Sequence, residues 1–179
     1  MPHVDALRLD MSYGRLRGST IIPPPIGLRD YGPTLQVSIG LHSILAAKLQ
    51  DQGKQLPDPV TGDAMIDTGA TVTCIDTEVA RVLSLPQSGK VESCGIGGKA
   101  SGFTVACTVD IKGLKVGITR AHCHDLAQYS KGLVALIGRD VLSNMILHYN
   151  GPSGTISLFL PTPKPPKKKG QGGRKHPPF

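Results

Sequence analysis

Apolar and polar residues alternate along several short stretches of this 179-residue chain, as they do in strands that have one exposed face. The clearest stretches are Leu35–Ile39, Phe103–Ile111 and Leu114–Thr119, and shorter strand candidates are Ala64–Ile66, Val72–Ile75, Ile146–Tyr149 and Thr155–Leu160. Only Lys112 and Gly113 lie between the hairpin candidates at 103–111 and 114–119, a spacing that suits a tight turn. Leu133–Ile137 is apolar at every position and predicts a strand covered on both sides.

Three segments have helical spacing instead. Leu41–Gln52 places four apolar side chains on one face, and Gly53 then supplies a stop. Asp76 is a good N-cap for a brief helix that ends at Leu83. The residues from Gly138 to Met145 follow the apolar strand directly and predict a helix fed by it.

The composition agrees with a fold made mainly of strands. Gly (22 residues) and Pro (15 residues) are plentiful, which favours short strands and tight turns over long helices. We therefore predict an all-β fold with one or two short helices and a single domain. The Pro23–Pro25 block marks residues 1–33 as a flexible leader, residues 34–161 as the folded domain and residues 162–179 as a disordered basic tail.

The net charge of +7 would suggest a nucleic-acid partner if it were spread over the domain. Six basic residues and no acidic residue lie between Lys164 and Phe179, so the preceding part of the chain is nearly neutral. The tail permits a weak contact with a polyanion, but a solvated terminus is the favoured interpretation.

Several functional classes are disfavoured by what the sequence contains. The four cysteines have no Cys-x-x-Cys spacing and are expected to be reduced, and neither a secretory signal nor an apolar run long enough for a bilayer is present. We expect a cytoplasmic protein without membrane contact. His122-Cys123-His124 invites a metal interpretation, but adjacent strand residues point to opposite faces. We expect no metal and no cofactor.

The run Asp67-Thr68-Gly69 carries the candidate chemistry. In isolation it predicts a turn in which the aspartate caps the backbone and the glycine has a positive φ. Apolar residues precede and follow it, however, so the turn would be held between buried strands. A carboxylate in that position is costly unless it has a task.

Met65-Ile66-Asp67-Thr68-Gly69-Ala70 resembles the active-site loop of the retropepsins, the single-domain aspartic proteases of retroviruses and their cellular relatives. Ile137-Gly138-Arg139-Asp140, which begins about 70 residues later, resembles the family's motif at the start of its main helix. Gly95-Ile96-Gly97-Gly98 lies between them and is similar to the glycine-rich tip of the flap hairpin. The tip could equally be Lys99–Gly102.

This resemblance implies a closed-barrel-like lobe of the acid-protease type that works as a two-fold homodimer. Each copy would supply one Asp67 to a peptide-hydrolysing site, Thr68 would hydrogen-bond across the axis, Gly69 would allow close approach of substrate and Ala70 would line the pocket. Gly138, Arg139 and Asp140 would support the loop and the dimer. The substrate would be a peptide or protein. An alternative is a retropepsin-fold dimerisation or peptide-binding module with weak activity or none.

Two departures from the retroviral pattern stand out. The position after Ala70 is commonly acidic in that family and pairs with the arginine of the second motif, but here it is Thr71. Arg139 would then need another partner, with Asp76, Asp140 or a group on the second copy as candidates. The insertion from Leu41 to Gly62 separates the first strand from the catalytic strand and points to a cellular or bacterial single-domain member.

Overall fold

The fold is mainly β, as predicted. A computed structural model describes residues 7–17, 20–95, 98–128, 130 and 132–160. The strands in these residues are Leu7–Ser12 (β1), Arg15–Arg17 (β2), Thr20–Ile22 (β3), Thr34–Leu41 (β4), Val60–Ile66 (β5), Cys74–Asp76 (β6), Gln87–Gly95 (β7), Gly98–Ile111 (β8), Leu114–His124 (β9), Leu133–Ile137 (β10), Ile146–Asn150 (β11) and Thr155–Leu160 (β12). The helices are Pro24–Tyr31 (α1), Ser43–Asp51 (α2), Thr77–Val82 (α3) and Arg139–Leu142 (α4).

Six strands form a closed barrel in the order β4-β5-β10-β6-β9-β8, and pairing of β4 with β8 closes the ring. The β5–β10 and β6–β9 pairs are parallel, and the other pairs of the ring are antiparallel. Closure pairs both edges of every strand in the ring, which removes free strand edges from the barrel. The predicted closed-barrel lobe is therefore confirmed.

Strand β7 lies outside this ring and pairs only with β8 in the described sheet. The long strand β8 changes neighbour at Ala106, where its register shifts. Residues before this point pair with β7, whereas Cys107 to Asp110 pair with β4. A register shift of this kind bends a strand. Phe103 to Val105 still pair with β9, so only residues 98–102 of β8, which pair with β7 alone, lie beyond the barrel wall.

The barrel interior is filled by every second residue of its strands. Ile39, Ala64, Ile75, Val105 and Ile137 are each at most 1% exposed. Because side chains alternate across a strand, one apolar residue in two suffices for this core. In β10 the core positions are buried, while the two intervening side chains are only half-buried, so coverage on the outer face is less complete than the continuous apolar run predicts.

The predicted turn at Lys112-Gly113 is present between β8 and β9. Lys112 has a φ of 50° and Gly113 a φ of 95°, and the Gly113 N–H donates to the Asp110 carboxylate over 2.6 Å. Two successive positive φ values belong to the hairpin turn whose twist matches that of the strands it joins. The N-cap prediction is also confirmed, because the Asp76 carboxylate accepts from the Glu78 N–H over 2.8 Å at the start of α3.

The helix predicted over Leu41–Gln52 exists as α2, but its apolar face does not enter the core. None of its residues is buried, and Ile44 is 74% exposed. Leu41 belongs to strand β4 rather than to the helix. Helix α4 is also shorter than predicted, since it ends at Leu142 and turns follow it.

The expectation of a flexible leader is wrong for the described residues before β4. Strand β1 pairs with β12, and Leu9, Tyr13 and Leu28 belong to the main core cluster. Pro24 and Pro25 occupy the first turn of α1, where a missing N–H removes no intrahelical bond. The proline block therefore begins a helix, and the folded unit includes these residues.

Two expectations lie outside the described residues. The basic tail, 162–179, is one of them, and residues 1–6 of the leader are the other. Within the described part of the chain, no helix is long and apolar enough to cross a membrane.

Candidate active site

Asp67 directly follows the central barrel strand β5. Its N–H donates to the carbonyl oxygen of Ile137 over 3.0 Å, which ties the start of the loop to the neighbouring strand β10. Its own carbonyl oxygen accepts from the Ala70 N–H over 3.3 Å and closes a tight turn. Barrel strands on both sides therefore fix the position of the loop.

The Asp67 side chain is held by its own loop. Its Oδ1 accepts from the Gly69 N–H over 2.8 Å and from the Ala70 N–H over 3.2 Å. Asp67 is half-buried, while Thr68 and Gly69 are exposed. Asp67 thus caps the backbone as predicted, with its second oxygen, Oδ2, left without a hydrogen bond to any described residue.

Glycine at position 69 allows a close contact with the Asp67 carboxylate and is not required by an unusual backbone angle. It is not among the described glycines with a positive φ, so that part of the turn prediction is wrong. A Cβ at this position would lie 3.1 Å from the Asp67 Oδ1, closer than most such contacts. A side chain here would crowd the carboxylate.

Arg139 reaches the same loop from α4. Its Nη1 donates to the carbonyl oxygens of Thr68 and Gly69 over 2.8 and 3.0 Å, and its Nη2 donates to the Thr71 hydroxyl over 2.8 Å. Its backbone N–H donates to the Ala70 carbonyl oxygen over 2.9 Å. The two motifs seen in the sequence therefore meet, and Thr71 itself is a partner of Arg139.

The carboxylates expected as partners of Arg139 have other contacts. Asp140 Oδ1 accepts from the backbone N–H and the hydroxyl of Thr73, over 2.9 and 2.7 Å. Asp76 caps α3 and accepts from the Leu126 N–H over 2.8 Å. The sequence prediction that Asp76 or Asp140 replaces the missing acidic residue is wrong.

Thr73 links the two motifs and was not identified from the sequence. It is fully buried, and its hydroxyl accepts from the Gly138 N–H over 3.0 Å while donating to Asp140. A Cβ on Gly138 would lie 2.6 Å from the Val72 carbonyl carbon, so only glycine fits against this segment. Gly138 and Asp140 thus hold the strand that follows the Asp67 loop.

Gly95 and Gly98, the described residues of the predicted flap tip, lie where the β7–β8 hairpin ends. The register pairs Gly95 with Gly98, and Ile96 and Gly97 lie outside the described residues. Gly98 has a φ of 101°. The alternative tip, Lys99–Gly102, is wrong because these residues form part of β8. Whether the hairpin covers a substrate stays a prediction.

The His122-Cys123-His124 segment divides between the two faces of β9. Cys123 is fully buried, and desolvation raises the pKa of its thiol to about 12. The rings of His122 and His124 lie 6.3 Å apart, and burial lowers the pKa of each imidazole. No group of three or more His, Cys, Asp or Glu side chains in the described residues could hold a metal ion.

Comparison with known protein families finds a match that covers both the Asp67 loop and its supporting motif. Residues 58–144, just under half of the chain, match the family described as "gag-polyprotein putative aspartyl protease". The match includes both Asp67 and the Ile137–Asp140 motif. This segment belongs to the retropepsin-like aspartic protease family.

Solved structures similar to this chain include two retroviral proteases. The EIAV protease complexed with the inhibitor HBY-793 is 23% identical, with a TM-score of 0.40 over 62% of this chain and 85% of that one. The simian foamy virus (mac) protease is 17% identical, with a TM-score of 0.36 over 62% of this chain and 91% of that one. Comparison with curated proteins finds no match.

Proposed function

We propose that this chain is an aspartic endopeptidase that acts as a homodimer with one Asp67 from each copy. The observation that carries the proposal is the Asp67 carboxylate itself. It is half-buried, is fixed through Oδ1 by two backbone N–H groups, and lies in an exposed loop on a closed barrel. A catalytic group needs this kind of rigid placement together with access for a substrate.

The proposed reaction needs two such carboxylates close together. Two carboxylates a few ångströms apart share one proton, because ionising both is unfavourable; aspartic proteases are the established example. The ionised carboxylate accepts a proton from a bound water as the water attacks the scissile carbonyl carbon. The protonated carboxyl donates to the carbonyl oxygen, which gives a tetrahedral intermediate with two hydroxyl groups. The carboxyl that took the proton from water then gives it to the amide nitrogen, and one hydroxyl returns its proton to the other carboxylate. The C–N bond breaks, an amine and a carboxylic acid are released, and the pair again shares one proton.

Homodimerisation follows from the count of active-site runs in the sequence. Asp67-Thr68-Gly69 occurs once, and no Asp-Ser-Gly is present. A two-fold axis beside the loop would place one Asp67 opposite the other, since an isologous interface brings identical surfaces together. The exposed Thr68 would then face its counterpart across the axis, and Ala70 would line the pocket. A single copy would be inactive.

The substrate in this proposal is an extended peptide that pairs with the β7–β8 hairpin as an added strand. Support for an apolar preference near the cut comes from the outer barrel face next to the loop. Met65 pairs in register with Leu136, and Leu136 pairs with Cys74. Met65 and Leu136 are only half-buried and pack against a second apolar cluster, so they offer a surface to an apolar side chain.

A peptide library tests the proposal. The purified protein would be incubated with it between about pH 4 and pH 7, with and without a pepstatin-type inhibitor, beside the variant Asp67→Asn. Asparagine keeps an oxygen that accepts from Gly69 and Ala70, so the loop keeps its contacts while the ionisable group is lost. We expect cleavage by the unchanged protein, inhibition by the inhibitor and no cleavage by the variant.

Sedimentation of both proteins supplies the control for assembly. Equal cleavage by the two proteins would contradict a catalytic role for Asp67. Dimers without cleavage in either sample would favour the non-catalytic dimerisation or peptide-binding module instead.

A further inference from the structure

Two peptide groups lie between the Asp67 carboxylate and the Arg139 guanidinium. In the Thr68–Gly69 peptide, the N–H donates to Asp67 over 2.8 Å and the carbonyl oxygen accepts from Arg139 over 2.8 Å. In the Gly69–Ala70 peptide, the corresponding distances are 3.2 and 3.0 Å. The N–H and C=O of a trans peptide point in opposite directions. Both peptide dipoles therefore point their positive ends at the carboxylate and their negative ends at the guanidinium.

We propose that Arg139 is a positioning residue that stabilises the ionised Asp67 carboxylate through these two peptides, in addition to its role in holding the loop. The inference rests on the proposed function only in assuming that Asp67 is the reacting group. Hydrogen bonds in a chain polarise one another, and a charge at either end makes them stronger. The cation pulls electron density towards the carbonyl oxygens and makes the two N–H groups better donors to Asp67.

Position 71 holds a threonine rather than an acidic residue, and this makes the polarising effect of Arg139 on the two peptides larger. Thr71 offers Arg139 a neutral hydroxyl, and no carboxylate of the described residues forms an ion pair with Arg139. Asp140, the next residue along, directs Oδ1 to Thr73 and to the Val141 N–H. His122 and Cys107 are titratable neighbours of Asp140. The charge of Arg139 is therefore not neutralised by a contact within the described part of the chain and acts on the loop peptides.

Two substitutions of Arg139 separate this role from simple support of the loop. Arg139→Lys keeps the positive charge but cannot bond the carbonyl oxygens and Thr71 together. Arg139→Gln removes the charge and keeps an amide NH2 group that can donate to the loop. Both weaken the loop, so both are expected to lose activity and stability. The glutamine variant should change the ionisation of the catalytic pair more than the lysine variant does.

The first readout is the pH dependence of kcat/KM at protein concentrations where sedimentation shows full dimers. Without the cation the carboxylates hold their protons to higher pH. Arg139→Gln should therefore move both limbs of the profile upwards. Arg139→Lys should move them by less than about half of that shift. Equal shifts in both variants, or no shift in either, would overturn the proposal.

The second readout does not depend on activity. Proton NMR follows the backbone amides of Gly69 and Ala70 while the pH is lowered. Their N–H signals should lie furthest downfield in the unchanged protein, and Arg139→Gln should move them upfield more than Arg139→Lys does. If the unchanged protein cleaves nothing, the protease proposal fails, but the amide signals still decide whether Arg139 acts through the peptides.

A third pair of variants serves if Arg139→Gln does not fold. Thr71→Asp places a carboxylate beside the guanidinium without removing it, and Thr71→Asn is the uncharged control of equal size. Both keep a group that can accept from Arg139. The aspartate variant should move the Gly69 and Ala70 amide signals upfield relative to the asparagine variant. Coincident signals in the two variants would refute the proposal.

Discussion

Replacing Thr73 by valine removes a single hydroxyl group from the segment that joins the two active-site motifs. Thr73 is fully buried, so water cannot take the place of the hydroxyl without a rearrangement. The Gly138 N–H loses its acceptor at 3.0 Å, and Asp140 loses a donor at 2.7 Å. Valine has nearly the same shape as threonine, so packing changes little and the polar groups dominate the effect.

The magnitude follows from those two contacts. A buried donor left without an acceptor costs about 1–3 kcal/mol, and a hydrogen bond to a charged group contributes about 1.5–3 kcal/mol. Asp140 itself is exposed, so water compensates part of the second loss. We expect Thr73→Val to lower the free energy of unfolding by about 2–4 kcal/mol.

Thr73→Ser is the matched control, because it keeps the hydroxyl and removes one methyl group. Its expected loss is about 1 kcal/mol. Urea denaturation at one fixed protein concentration measures both variants, since unfolding of a dimer depends on concentration. A valine variant that is as stable as the serine variant, with the same slope in urea, would refute the assigned hydrogen bonds.

Three further perturbations probe other parts of the molecule. Thr71→Asp should raise the free energy of unfolding by about 0–1 kcal/mol at low salt, because it adds an exposed ion pair with the Arg139 guanidinium. The gain should be smaller at 1 M salt, and Thr71→Asn should not show this salt dependence in urea titrations. Leu28→Ala should lower the free energy of unfolding by about 2–5 kcal/mol, because Leu28 is buried. Ile44→Ala on exposed α2 should change it by less than about 0.5 kcal/mol. Comparable losses in the two variants would contradict the packing of the N-terminal residues. Burial lowers the pKa of His122 and of His124 in the folded protein, so the unfolded chain takes up protons first as the pH falls. The free energy of unfolding should therefore fall as the pH is lowered below about 6.5. In urea titrations between pH 7.5 and 5, the free energy of unfolding of the double variant His122→Asn/His124→Asn should depend less on pH.

Local chemistry explains which elements could be predicted from the sequence. The hairpin turn at Lys112-Gly113 and the Asp76 cap depend on residues next to each other in the chain, so the sequence contains the information needed. The leader prediction failed because a proline block disfavours a helix interior but is compatible with the first turn, where Pro24 and Pro25 lie. The sequence of α1 does not distinguish these two cases.

The candidate site was predictable as two motifs but not as one network. Asp67 and Arg139 were identified from the residues around them, but their connection depends on which carbonyl oxygens the loop turns towards the guanidinium. Thr73 carries no periodic signal, because its importance comes from contacts with residues 65 and 67 positions away. Such contacts follow from the barrel topology rather than from local pattern.

The position of β7 outside the ring also bears on how this protein can change during evolution. The barrel closes through β4 and β8, and residues 98–102 of β8 pair with β7 alone, so the outer part of the hairpin is not needed to complete the ring. Insertions, deletions and substitutions in the outer part of the hairpin can therefore accumulate without opening the core. A lineage could therefore vary the surface of this hairpin while it retains the same barrel and the same Asp67 loop.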